Sequence, residues 1–255
     1  MFTVAQTLCL RKTRFAPRAC SFTSVFRSCN IARVKPFEAL DQELSPDGTL
    51  LKLVRRGDEY LILAGGAVLM SSRTHSSEEF LAKCAWHHLR QLKQPSVLIG
   101  GLGMGFTLRA VLDLFPPDAT VGVVELIPAV VKWNRGPLAH LAAHPLDDSR
   151  VHVETADVAS VLASNPGRFH AVLLDVDNGP AAFTDSNNAA LYDDRGIASA
   201  RSALKDGGLL AVWAAKDDRE FAQRLRNNNF TAEVQIHRAR GKKGSRHYIF
   251  LGRRS

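Results

Sequence analysis

Acidic residues are missing from both ends of this chain. Residues 1–37 carry Arg11, Lys12, Arg14, Arg18, Arg27, Arg33 and Lys35 with no Asp or Glu. Residues 234–255 carry Arg238, Arg240, Lys242, Lys243, Arg246, Arg253 and Arg254, again with none. The formal net charge of +8 therefore misdescribes the body, because residues 38–233 hold 19 basic and 25 acidic residues, a net of −6. An acidic body suits a cationic substrate, whereas basic ends suit nucleic acid, an anionic surface or plain solubility. Cysteine is also scarce. Cys9, Cys20, Cys29 and Cys84 form no CxxC pair, so neither a disulfide framework nor a zinc site is indicated and a reducing compartment is the default. No apolar run approaches the roughly 18–20 residues of a membrane span. No serine stands in a GxSxG context, which leaves a hydrolase of that type without support. His140 and His144 are spaced i, i+4, but no acid separates them as in a zinc protease and Pro145 follows at once. No metal is expected.

What is present centres on residues 96–115. The apolar run Val97-Leu98-Ile99 has the length of a buried strand and stops at Gly100-Gly101-Leu102-Gly103-Met104-Gly105. A helical pattern follows, with Leu108, Val111, Leu112 and Phe115 on one face. Glycines here permit positive φ and close approach of a ligand to the main chain. The helix start then offers unpaired N–H groups. The next strand, Thr120-Val121-Gly122-Val123-Val124-Glu125, ends in an acid. It falls about twenty residues after the glycines, where a carboxylate meets a ribose diol. Together these features predict a nucleoside-binding α/β domain.

The rest of the chain extends that pattern. Residues 1–37, rich in Arg, Ser and Thr, have the composition of an organelle transit peptide or of a disordered extension, and stand outside the fold. Residues 38–75 read as a small β segment, with short antiparallel strands at 50–54, 60–63 and 67–70. Residues 76–255 form the main domain. A helix starts at Ser76 or Ser77, with Glu78 and Glu79 in its first turn. Strands at 151–154, 169–174 and 209–213 alternate with helices near 128, over 157–164, over about 189–204 and over about 217–228. Alternation implies a doubly wound, mostly parallel sheet of Rossmann-like type. The pair of strands 231–237 and 248–252 closes it as an antiparallel C-terminal edge.

In such a sheet, ligands bind beyond the carboxyl ends of the strands. Those ends carry Gly100, Gly101, Gly103, Gly105, Glu125, Asp157 and Asp175. Strand-end acids also cap helices, and Asp157 opens one. Asp175 and Asp177 follow a strand so apolar that a chemical use is the stronger reading: holding a cationic amine and accepting its proton. The alternative is a capped turn at Asn178-Gly179-Pro180.

The stretch 96–213 resembles the class I S-adenosylmethionine-dependent transferases, and within them the spermidine synthase (polyamine aminopropyltransferase) family, over about residues 48–255. Ile99-Gly100-Gly101 with Thr107-Leu108-Arg109 echoes the family loop, and Val123-Val124-Glu125 with Pro128 echoes its ribose-binding strand end. The resemblance implies Asp157 at the adenine edge and Asp175, ahead of Gly179-Pro180-Ala181, as the catalytic aspartate. Phe183-Thr184 and Leu191-Tyr192 also fall in order. The family's Tyr-His-Glu run becomes Ser77-Glu78-Glu79, which implies Glu79, with Asp177, for the amine. Gly103 and Met104 stand where the family has an aspartate, Asn178 where it has its second aspartate, and Ile127 where it has an acid after the ribose-binding glutamate.

Three expectations follow. The first is aminopropyl transfer from decarboxylated S-adenosylmethionine to a small-molecule amine, in the cytoplasm, or in an organelle if residues 1–37 are a transit peptide. The second is methyl transfer from S-adenosylmethionine to another small molecule or RNA, with the basic loop 238–246 meeting phosphates. The third is a degenerate nucleoside- or partner-binding protein. A homodimer is open; a membrane partner is not expected.

Overall fold

The computed structural model describes residues 36–176, 179–180, 190–239 and 244–255. Residues 1–35, Asp177, Asn178, Ala181, Phe183, Thr184 and residues 240–243 of the basic loop lie outside the described residues. No described helix is long and apolar enough to cross a membrane.

Four strands come first: β1 (Glu38–Leu44), β2 (Leu50–Arg56), β3 (Glu59–Ala64) and β4 (Ala67–Ser71). They pair in sequence order, all antiparallel. Gly65 and Gly66, at φ 57° and 87°, link β3 to β4. A two-residue hairpin needs positive φ at both of its central positions when it follows the strand twist. The expected strands fall within β2, β3 and β4. β1 is additional. Its sequence, EALDQEL, has no apolar alternation and is largely exposed. Asp41 holds it: Oδ2 accepts from Lys132 Nζ at 2.8 Å and from Trp133 Nε1 at 2.9 Å. Both partners lie on α3 (Pro128–Arg135), so this contact joins the small sheet to the larger one.

Helix α1 (Ser76–Leu89) then leads into alternating elements. These are β5 (Ser96–Gly100), α2 (Phe106–Leu114), β6 (Thr120–Glu125), α3, β7 (Val151–Thr155), α4 (Val158–Ser164) and β8 (Phe169–Leu174). After them come α5 (Asp194–Ala203), β9 (Leu204–Ala214), α6 (Arg219–Asn227), β10 (Phe230–Arg238) and β11 (Arg246–Arg254). The strands lie in the order β10-β11-β9-β8-β5-β6-β7. From β7 to β9 neighbours are parallel, and β11 is antiparallel to both β9 and β10. The antiparallel C-terminal end thus forms as expected, with β11 inserted beside β9 and β10 on the rim.

The apolar run of β8 has a simple cause. Ala171 and Leu173 point into one core with Ile99, Val111, Leu81 and Trp133, while Val172 and Leu174 point into a second with Leu162, Ile197 and Phe221. A strand covered on both faces has no position left for a polar residue until it ends. The chain runs outward from β5 through β6 to β7, then returns to β8 on the other side of β5. The crevice at that reversal lies beyond Gly100 and Leu174, where open α/β sheets bind ligands.

Candidate active site

The loop after β5 is built on close backbone packing. Gly101 has φ 88°, and a Cβ there would stand 2.3 Å from the carbonyl oxygen of Asp175. Only glycine fits, because the φ and the neighbour both exclude a side chain. Gly103, at φ 53°, faces the Met70 side chain of β4. Gly105 caps α2 in the left-handed region at φ 81°, and Gly100 is packed against Val158 and Leu174. Gly101 and Gly103 therefore line the crevice, whereas Gly100 and Gly105 shape the loop from behind. Met104 is 1 % exposed and belongs to the core, so its side chain is turned away from any ligand.

Glu125 organises this loop. Its Oε2 accepts from the Leu102 N–H at 2.8 Å and its Oε1 from the Ile127 N–H at 2.9 Å. Burial pushes the carboxyl's pKa up, and the backbone N–H groups of Leu102 and Ile127 pull against that. Each oxygen keeps a second lone pair for a ligand donor. Asp157 stands between β7 and α4. It N-caps α4, accepting from Ala159 N–H at 2.9 Å, and also borders the crevice.

These groups surround a cavity of about 360 Å³, within the range of small-molecule sites. Leu51, Ile62, Val68, Leu69 and Met70 of the small sheet form its apolar roof. Ile127 and Val130 line the wall beside Glu125.

Asp175 lies at the other end. Its N–H donates to Gly100 O at 2.9 Å. Its Oδ2 accepts from Thr107 Oγ1 at 2.5 Å, and Thr107 is itself buried in the first turn of α2. Burial, with the nearby Glu78 carboxylate, raises the Asp175 pKa to about 7, against the pull of the Thr107 hydroxyl. Glu78 is also buried and borders the same cavity. Its Oε2 accepts from Ser77 Oγ at 2.6 Å, and burial pushes its pKa up as well.

Glu79, expected to face the amine, does not line the cavity. It pairs with His75 at 2.9 Å and with Lys83 at 3.7 Å on the outer side of α1. One residue is about 100° of helix, so the register of α1 turns Glu78 inward and Glu79 outward. Asp177 lies outside the described residues. Sequence reasoning gave no site role to Glu78, Thr107, Ser77, Trp213 or His247. Trp213 follows the β9 residue paired with Leu174, which sets it beside Asp175. His247 of β11 packs against Trp213 with ring centroids 5.2 Å apart. Burial and the neighbouring His237 push the His247 pKa down, favouring the neutral ring. Trp213, at the end of an apolar strand, was the one with a readable signal.

The fold and crevice define a Rossmann-like α/β protein with a mostly parallel seven-stranded sheet and an antiparallel edge. In fold it is similar to solved spermidine synthases. The spermidine synthase of Thermotoga maritima superposes with a TM-score of 0.69 at 18 % identity, over 85 % of this chain and 73 % of that one. A spermidine synthase in complex with the transition-state analogue AdoDATO gives 0.68 at 17 % identity, over 85 % and 72 %. At such identities the likeness is one of fold. In sequence, the polyamine aminopropyltransferases of Mycobacterium tuberculosis and Mycobacterium bovis are each 30 % identical over 172 residues, 64 % of this chain. The chain spans 30 % of the length of those curated relatives. No protein-family profile matches it.

Proposed function

We propose that the protein transfers an aminopropyl group from decarboxylated S-adenosylmethionine to a small-molecule amine in the cytoplasm. The charge of the cavity carries this reading. Glu78, Glu125, Asp157 and Asp175 line it, and among the described lining residues there is no lysine or arginine. Such a lining attracts cations, and the reaction brings two, a sulfonium and an ammonium. Intact S-adenosylmethionine adds a carboxylate that no lysine or arginine of the described lining meets.

The remaining lone pairs of Glu125 suit a ribose diol, and Asp157 suits the adenine edge. The glycine loop lets the nucleoside approach the backbone. When bound, the co-substrate supplies an activated carbon beside its sulfonium. Asp175 orients the incoming amine and accepts its proton as the new C–N bond forms and the C–S bond breaks, releasing methylthioadenosine. Thr107 occupies Oδ2 of Asp175, which leaves Oδ1 for that proton. Positioning and an uncharged nucleophile supply most of the acceleration.

The test is release of methylthioadenosine from decarboxylated S-adenosylmethionine in the presence of a panel of primary amines. Asp175→Asn is expected to lower turnover about 100-fold or more while methylthioadenosine still binds. Methylated product from intact S-adenosylmethionine would assign methyl transfer instead, and turnover of neither would leave a nucleoside-binding role.

A further inference from the structure

We propose that Trp213 and His247 select the acceptor as an amine with a single ammonium group and a flat apolar body, an inference that rests on the amine-acceptor reading above. The strand order sets the order of groups along the cavity. Asp157 follows β7, Glu125 ends β6, Gly101 follows β5 and Asp175 follows β8. Next in line are Trp213, near the end of β9, and His247, at the start of β11. All six line the cavity. The nucleoside takes up the ends of β5, β6 and β7 in that reading, so whatever extends past Asp175 on the other side belongs to the acceptor.

Trp213 offers carbon there. Its Nε1 is buried and without a partner among the described residues. That nitrogen is the polar atom of the side chain, so the part of the indole that reaches the cavity is apolar. The ring is also braced. His247 packs on it with centroids 5.2 Å apart. His247 stands opposite His237 of β10. His237 in turn stacks on Phe80 of α1 at 4.9 Å, with its Nε2 3.0 Å from Ser76 Oγ. A wall already held in place loses little freedom when a ligand packs against it.

Among the described lining residues, the strands beyond β8 contribute these two rings and no acid. Glu78, the other acid at this end, comes from α1 and bears on Asp175 itself, so it belongs with the reacting amine. A second ammonium set against Trp213 would leave water with no carboxylate of these strands to meet it. An indole face attracts a cation, but by less than the burial of an unpaired charge costs. A phenyl body at the same place buries apolar area on the indole and gains from ring-on-ring packing. The two rings thus favour an apolar monoamine over a diamine.

The test compares acceptors. Release of methylthioadenosine from decarboxylated S-adenosylmethionine by the full chain is measured with 2-phenylethylamine and with butane-1,4-diamine. kcat/KM for 2-phenylethylamine is expected to be higher by about tenfold or more. Trp213→Ala should lower that value about tenfold, mostly through KM, and change the value for the diamine by less than about twofold. Trp213→Phe should keep most of the native preference. If the alanine variant no longer binds methylthioadenosine, the native preference and Trp213→Phe decide. A native preference for the diamine, or an equal loss for both amines in a Trp213→Ala protein that still binds methylthioadenosine, overturns the inference and leaves the amine reading standing. Turnover of no primary amine overturns the amine reading, and this inference with it.

Discussion

Thr107 Oγ1 lies 2.5 Å from Asp175 Oδ2, so the first turn of α2 is tied to the residue that follows β8. The hydroxyl donates to the charged form of the carboxyl and favours it. Thr107→Val keeps the shape of the side chain and removes that donor. The Asp175 pKa, now about 7, should rise further. The acid limb of kcat/KM, which climbs as Asp175 loses its proton, should move to higher pH, with activity at pH 7 falling about tenfold. A pH–rate profile measures this. An unmoved limb would separate Thr107 from the proton acceptor.

Glu78 acts on the same group with the opposite sign. Glu78→Gln removes a neighbouring negative charge, so the Asp175 pKa should fall and the acid limb should move to lower pH. KM for the amine should rise about tenfold as one carboxylate is lost. Glu79→Gln, whose partners are His75 and Lys83 on the outer side of α1, should change neither. The pair of profiles distinguishes adjacent residues that a sequence cannot.

Asp175 also leaves a signature in stability. Its folded pKa lies above its unfolded value. The folded state therefore holds a proton that the unfolded state has released between about pH 4 and pH 7. Its contribution to stability is present below the unfolded pKa and is lost as pH rises through the folded one. Asp175→Asn should thus raise the melting temperature relative to native protein more at pH 8 than at pH 4, by on the order of 1–3 kcal/mol of stability. Thermal unfolding at the two pH values checks the sign.

Gly101→Ala should be severe. The added Cβ meets the Asp175 carbonyl at 2.3 Å, and φ is 88°. Either the loop after β5 or the peptide after β8 must move. A stability loss of about 2–4 kcal/mol and loss of methylthioadenosine binding are expected. Native melting and native affinity together would show that the loop does not have this geometry.

Much of this architecture is legible in the chain because its causes are local. The glycine loop, Glu125 and the alternating strands announce themselves by spacing, and β8 by an apolar run that both cores use. β1 is not legible, since Asp41 holds it through Lys132 and Trp133, about ninety positions away. The amine end of the cavity fails for a different reason. Glu78 and Glu79 are chemically identical, and only the rotation of α1 over the sheet decides which one is buried. Thr107 passes for an ordinary helix residue until Asp175 is brought beside it.

The central claim is that an acidic cavity, with no lysine or arginine among its described lining residues, takes two cationic substrates. Calorimetric titration of the full chain with decarboxylated and intact S-adenosylmethionine in parallel tests it most directly, because the two differ by one carboxylate. At least about tenfold tighter binding of the decarboxylated form is predicted, the effect of one unmatched charge. Equal affinity, or a preference for the intact form, would contradict the account.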